Sequence, residues 1–130
     1  WEIVTNTTFP IVGLASDPKD ENILYAASPQ GLMVSKNKGK DWSTLLDGFV
    51  STIAVNPQDS QNLFSFSEKL RLAISSDAGQ NWEQVNEDFN GETPLHTAFD
   101  KQKPEIIYTL TEKNSLYKST DSGATWDKIR

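Results

Sequence analysis

The 130-residue sequence contains no cysteine, one histidine, one methionine and only two arginines. Without cysteine there is no disulfide framework and no thiolate metal site. A lone His96 leaves no second imidazole for a histidine metal cluster, and no serine-centred arrangement accompanies it as a catalytic triad would require. No apolar run is long enough to cross a bilayer, so membrane insertion is not expected. Basic residues are also in deficit, 12 lysines and arginines against 18 acidic residues for a net charge of -6. That balance argues against nucleic acid or an anionic membrane surface as the main partner. No stretch shows the 3.6-residue apolar period of a helix, and neither a cofactor nor a metal ion is expected.

What the chain does contain is one phrase written three times. Ser119-Thr-Asp121-Ser-Gly123-Ala-Thr-Trp126 is echoed by Ser75-Ser-Asp77-Ala-Gly79-Gln-Asn-Trp82. A third copy, Ser35-Lys-Asn37-Lys-Gly39-Lys-Asp-Trp42, has asparagine where the others have aspartate. The shared pattern is Ser-x-Asp-x-Gly-x-x-Trp, and residues 1–4 repeat only the part that follows it. An aspartate placed two residues before a glycine suits a tight turn between strands. Its carboxylate accepts backbone N–H groups, while the glycine takes a positive φ that a side chain would resist. Each tryptophan then enters the next strand, where its indole fills a gap between packed layers. At about 150–250 Å² buried and roughly 25 cal/mol per Å², each ring contributes at most on the order of 4–6 kcal/mol. Each turn hydrogen bond adds only about 1 kcal/mol. Trp42, Trp82 and Trp126 are therefore the expected anchors, and the polar turns aim them.

The pattern resembles the Asp-box, or BNR, repeat of β-propeller proteins, a family that includes sialidases, xyloglucan-cleaving glycosidases, sortilin-type receptors and photosystem II assembly factors. The resemblance covers nearly the whole chain. It implies that Ser35, Asn37, Gly39, Ser75, Asp77, Gly79, Ser119, Asp121 and Gly123 are structural and sit on the outer rim, away from any ligand site. One carboxylate per turn is in any case a poor oxygen cage for calcium. The resemblance also implies a secreted or cell-envelope location.

The tryptophans recur at intervals of 41, 40 and 44 residues, the period of a four-stranded propeller blade. The parse is an all-β, partial β-propeller of three four-stranded antiparallel blades plus one orphan N-terminal strand. That strand occupies 1–5, and the blades occupy 6–46, 47–86 and 87–130. Strands are predicted at 11–15, 23–27, 32–35 and 42–45; at 50–55, 63–66, 70–75 and 82–85; and at 95–99, 106–110, 116–119 and 126–129. Asp17-Pro18 and Asn56-Pro57 punctuate equivalent places. Ala15, Ala54 and Ala98 align on the innermost strands, and Tyr25, Phe64 and Tyr108 align as blade-packing aromatics. Because propellers close with about 4–8 blades, three blades leave two open apolar faces. Further blades, or self-association through those faces, are the expected partners. The absence of an initiator methionine before Trp1 predicts a processed or excised piece. Asn6-Thr7-Thr8 fits a glycosylation acceptor pattern.

In propellers the loops from strand four to the next strand one, and from strand two to strand three, open on one face. On that face 86–94 is the longest connection, and Glu87, Asp88, Phe89, Asn90 and Glu92 make it the first place to look for recognition of a glycan or protein ligand. Phe89 reads as exposed. Glu68 and Glu112 occupy equivalent turns there, and His96 aligns with Gly13 and Thr52 near the central channel. Lys36, Lys38 and Lys40 read as a solvated basic turn. No catalytic set is selected. The resemblance implies that a sialidase would need three arginines, where this chain has Arg71 and Arg130. A xyloglucanase-like site would need two acids facing across a cleft, and only Asp88 or Glu92 with Glu112 are conceivable. The reading is a non-catalytic binding or assembly scaffold, with a piece of a xyloglucanase-like propeller glycoside hydrolase as the alternative.

Overall fold

The computed structural model describes residues 9–130, so the orphan strand at 1–5 and the acceptor pattern at 6–8 lie outside the described residues. Three four-stranded antiparallel sheets follow one another along the chain, each meandering from an inner to an outer strand. Blade 1 comprises β1 (Gly13–Ser16), β2 (Leu24–Ser28), β3 (Gly31–Ser35) and β4 (Ser43–Asp47). Blade 2 comprises β5 (Val50–Asn56), β6 (Asp59–Ser67), β7 (Arg71–Ser75) and β8 (Glu83–Gln84), and blade 3 comprises β9 (Pro94–Phe99), β10 (Ile107–Thr111), β11 (Leu116–Ser119) and β12 (Asp127–Lys128). All twelve predicted strands are present within a few residues. The tryptophans stand one residue before β4, β8 and β12 rather than inside them, because each indole N–H turns back to the box glycine. A three-residue 3-10 turn at Phe89–Gly91, unforeseen in the sequence, is the one helical element among the described residues.

The inner strands β1, β5 and β9 lie side by side, and two apolar cores separate the three blades. Between blades 1 and 2, Tyr25, Leu32 and Val34 meet Val50, Ile53 and Leu63, with Leu45 and Trp82 packed against them. Between blades 2 and 3, Phe64, Phe66 and Leu72 meet Phe89, Ile107 and Tyr117, with Ile74 and Trp126 against them. Strand alternation explains this division. In β6, Leu63 points back to blade 1 and Phe64 points forward to blade 3. Each blade thus has a rear face, turned to its predecessor, and a forward face, covered by its successor.

Polar stitches cross the same gaps. Near the axis Ser51 donates to the Pro94 carbonyl at 2.6 Å and Thr52 to Thr97 at 3.2 Å. Away from the axis Ser60 donates to Asp17 Oδ1 at 2.6 Å, and the Gln58 amide reaches the carbonyls of Lys101 and Gln102.

Candidate functional site

The box turns decide which face of the molecule remains for recognition. In all three copies the serine Oγ accepts the glycine N–H at 2.8 Å, from Gly39, Gly79 and Gly123 respectively. The glycines have φ of 86°, 89° and 91°, and the residue before each, Lys38, Ala78 or Ser122, is also left-handed at 61°, 58° and 62°. The tryptophan indole N–H donates to the glycine carbonyl at 2.9–3.0 Å, which locks the ring over its own turn. Each box turn also donates a backbone N–H to the turn before strand two of its blade or to the start of that strand: Lys38 to Asn22, Ala78 to Gln61 and Ser122 to Glu105. Box turns and strand-one turns therefore share one face, and the remaining loops share the other.

The degenerate box keeps its hydrogen bond by exchanging partners. In blade 2 the Asn81 amide donates to Asp77 Oδ2 at 2.8 Å, whereas in blade 1 the Asn37 amide donates to Asp41 Oδ2 at 2.7 Å. Acid and amide have traded places. Asp41 was the available signal, since it stands four residues beyond the anomalous asparagine.

Asp121 is exposed, yet the Thr125 hydroxyl, the Thr125 N–H and the Ser119 hydroxyl hold its carboxyl down to about 2, from an ordinary 3.8. The Asn81 N–H and amide, with the Ser75 hydroxyl, lower Asp77 in the same way. A carboxyl depressed in the folded state stabilises it above the unfolded value, and that stabilisation fades as pH falls from 3.8 towards about 2. The expected result is a melting temperature that drops across this window, with a shallower drop for Asp121→Asn; thermal melts at successive pH values check it.

On the opposite face the 86–94 loop is folded in on itself. Phe89 is fully buried rather than exposed, which corrects the reading from sequence. Its ring stacks edge-on against Tyr117 and Trp126, at centroid distances of 5.1 and 5.3 Å, and lies 6.0 Å from Phe66. The backbone turns the ring inward through three consecutive left-handed residues, Phe89, Asn90 and Gly91, at φ of 51°, 56° and 77°. The polar residues hold that bend. Glu87 accepts the Phe89 N–H at 2.7 Å, Asp88 accepts the Asn90 N–H at 3.0 Å, and the Asn90 amide donates to the Tyr117 hydroxyl at 2.7 Å.

Glu92 is likewise buried. It accepts the Thr111 hydroxyl at 2.5 Å and lies 3.5 Å from Lys128 Nζ. The Thr111 hydroxyl, then that of Ser115, then Lys128 hold its carboxyl below the usual range. Glu112 accepts the Thr93 N–H at 3.1 Å. The acids conceivable as a facing pair, Asp88 or Glu92 with Glu112, all serve the loop instead.

What remains open on this face is a shallow surface between blades. The Glu68 N–H donates to the Phe49 carbonyl at 2.9 Å, and a Cβ placed on Gly48 would lie 3.3 Å from Lys69 Cε. The β4–β5 connection and the β6–β7 turn are thereby joined. Glu68, Lys69, Phe49, Leu95, His96 and Glu112 are exposed there. His96 stands near the start of β9, paired with Leu110. Beside this surface is a cleft of about 260 Å³ lined by Arg71, Gln84, Asn86, Glu87 and Asp88. Arg71 caps the aromatic core, with its guanidinium 4.7 Å from the Phe66 ring centroid. Among the described residues no three His, Asp or Glu side chains are grouped to hold a metal ion, and no helix is long and apolar enough to cross a membrane.

The sequence model of the Sortilin-Vps10 family, described as sortilin, neurotensin receptor 3, matches residues 30–130. Among solved structures the chain is similar to a GH74 enzyme of Niastella koreensis, with a TM-score of 0.75, 22% identity, and coverage of 92% of this chain and 22% of that one. It is also similar to YCF48 of Cyanidioschyzon merolae, with a TM-score of 0.71, 16% identity, and coverage of 96% and 38%. YCF48 bound to D1 peptide gives a TM-score of 0.70 at 19% identity, with coverage of 94% and 41%. The chain thus spans between about a fifth and two-fifths of the length of these propellers. No curated protein matches it.

Proposed function

Because the chain belongs to the Sortilin-Vps10 family of propeller repeats, we propose that it is a non-catalytic scaffold that presents the loop face around Phe49, Lys69 and Leu95 to a protein ligand. One observation carries this reading. Glu87 and Asp88 each hold a hydrogen bond within their own loop, and Glu92 and Glu112 tie that loop to the neighbouring hairpin. A glycosidase needs two free carboxyls across a cleft, one of them with a raised pKa so that it can donate a proton. Glu92 is shifted the other way. The likeness to GH74 structures is a likeness of fold, and the same fold serves both enzymes and binders.

A protein ligand fits the surface better than a sugar. Phe49 and Leu95 are exposed apolar side chains flanked by charges of both signs, which suits an extended peptide with alternating apolar and polar residues. YCF48, a structural relative, has been solved with a bound peptide. The test incubates the chain with xyloglucan and, separately, with an array of extended peptides. No release of reducing ends is expected, together with peptide binding that Lys69→Glu weakens. Sugar release abolished by Glu112→Gln would establish the hydrolase alternative.

A further inference from the structure

The two open faces of the molecule are not alike, and their chemistry says what each will accept. On the rear face of blade 1, Ile11 and Leu14 are 42% and 63% exposed. Val50 and Ile53, the same repeat positions one blade later, are at most 5% exposed because blade 1 covers them. Among the described residues the rear face of blade 1 is thus an apolar blade surface.

The forward face of blade 3 departs from this pattern at one residue. Tyr25 and Val34, Phe64 and Ile74, and Tyr108 and Lys118 are directly opposed pairs on strands two and three of successive blades. In blades 1 and 2 the pair is apolar and packs against the following blade. In blade 3 its second member is a lysine, whose ammonium lies 5.6 Å from the Tyr108 ring centroid. The position matters because the next blade's box turn lands on it. A Cβ on Gly123 would lie 3.1 Å from Ile74 Cδ1, and Ile74 lines one cleft with Ser122 and Ala124, the two neighbours of that glycine.

In blade 1 those two turn positions are Lys38 and Lys40. Residues 36–41 carry three lysines and one aspartate, whereas 76–81 and 120–125 each carry one aspartate and no base. A second copy seated likewise on blade 3 would set Lys118, which stands opposite Asp127, against Lys40 and against Lys38, which lies 3.1 Å from Glu21. Like charges brought together during association oppose it, and opposite charges favour it.

We propose that the forward face of blade 3 receives an Asp-box blade whose box turn carries net negative charge, and that Lys118 opposes closure onto blade 1 of a second copy. This rests on the scaffold reading above and departs from the self-association expected from the sequence. Net negative charge on the arriving turn favours the Lys118 ammonium, whose stem covers the Tyr108 ring. Partner choice lies in one strand-three residue and the turn that lands on it.

The test is solution mass by light scattering over a concentration series, at ionic strengths from about 0.02 to 0.5 M so that exposed charges are first felt and then screened. Wild type is expected to be monomeric. Lys36→Ser, Asn37→Asp, Lys38→Ala, Lys40→Gln and Asp41→Asn together write the blade 2 turn into blade 1. That variant is expected to associate at least about tenfold more tightly than wild type and to dissociate as salt is added. Adding Lys118→Glu to it should reverse the gain. Lys118→Ile alone, which leaves the turn untouched, should also associate more tightly than wild type. Equal masses for wild type and the turn variant, or for the turn variant with and without Lys118→Glu, would overturn the proposal, as would no difference between wild type and Lys118→Ile. Sugar release in the earlier assay would sink the scaffold reading and leave these mass comparisons intact.

Discussion

Replacing Phe89 with alanine is expected to lower the unfolding free energy by about 3–5 kcal/mol, the range for a fully buried aromatic whose cavity cannot collapse. The ring is enclosed by Phe66, Tyr117 and Trp126, which belong to three different strands or strand ends, so none can move into the void without disturbing its own sheet. Strain works against the wild-type residue. A left-handed phenylalanine costs about 1–2 kcal/mol, and Phe89 stands at φ 51°. Burial of the ring, at roughly 25 cal/mol per Å² over about 200 Å², is worth on the order of 5 kcal/mol and prevails. Phe89→Gly should therefore be somewhat less damaging than Phe89→Ala, since glycine relieves the strain that alanine retains. Urea denaturation of the three proteins checks both the size and the order. If Phe89→Ala unfolds at the wild-type midpoint, the ring is not the plug described here.

Trp126→Ala is expected to cost a similar amount, about 3–5 kcal/mol. The indole packs on Phe64 at 5.4 Å and Phe89 at 5.3 Å, and its N–H donates to the Gly123 carbonyl at 2.9 Å. Its loss removes both the filler between blades 2 and 3 and the bond that aims it. Because Trp126 and Phe89 touch, their effects are coupled. The double variant should fall short of the sum of the singles by about 0.5–3 kcal/mol, since the first cavity already removes part of what the second residue packs against. Strict additivity in the same denaturation series would show that the rings stabilise separate regions.

The repeat period, the glycine and tryptophan roles and the strand pattern were all readable in the chain. Each depends on short-range geometry: a left-handed glycine, an indole three residues beyond it, and alternation along a strand. The chain alone thereby determined an all-β stack of blades with an acidic, cysteine-free surface. Tertiary structure decided the rest. Phe89 sits in a polar loop, so its neighbours argue for exposure. Only the approach of β6 and β11 from two different blades shows the space that it fills. Glu92 is an ordinary loop acid until Thr111 and Ser115, from the neighbouring hairpin, arrive to hold it. Asn37 looked like a lost box until Asp41 proved to supply the carboxylate. Lys118 was one lysine among many until strand pairing set it opposite Tyr108, where blades 1 and 2 set Val34 and Ile74 opposite Tyr25 and Phe64. In each case the deciding partner is distant in sequence or reversed in role. Local propensity is blind to such partners, and packing is what selects them.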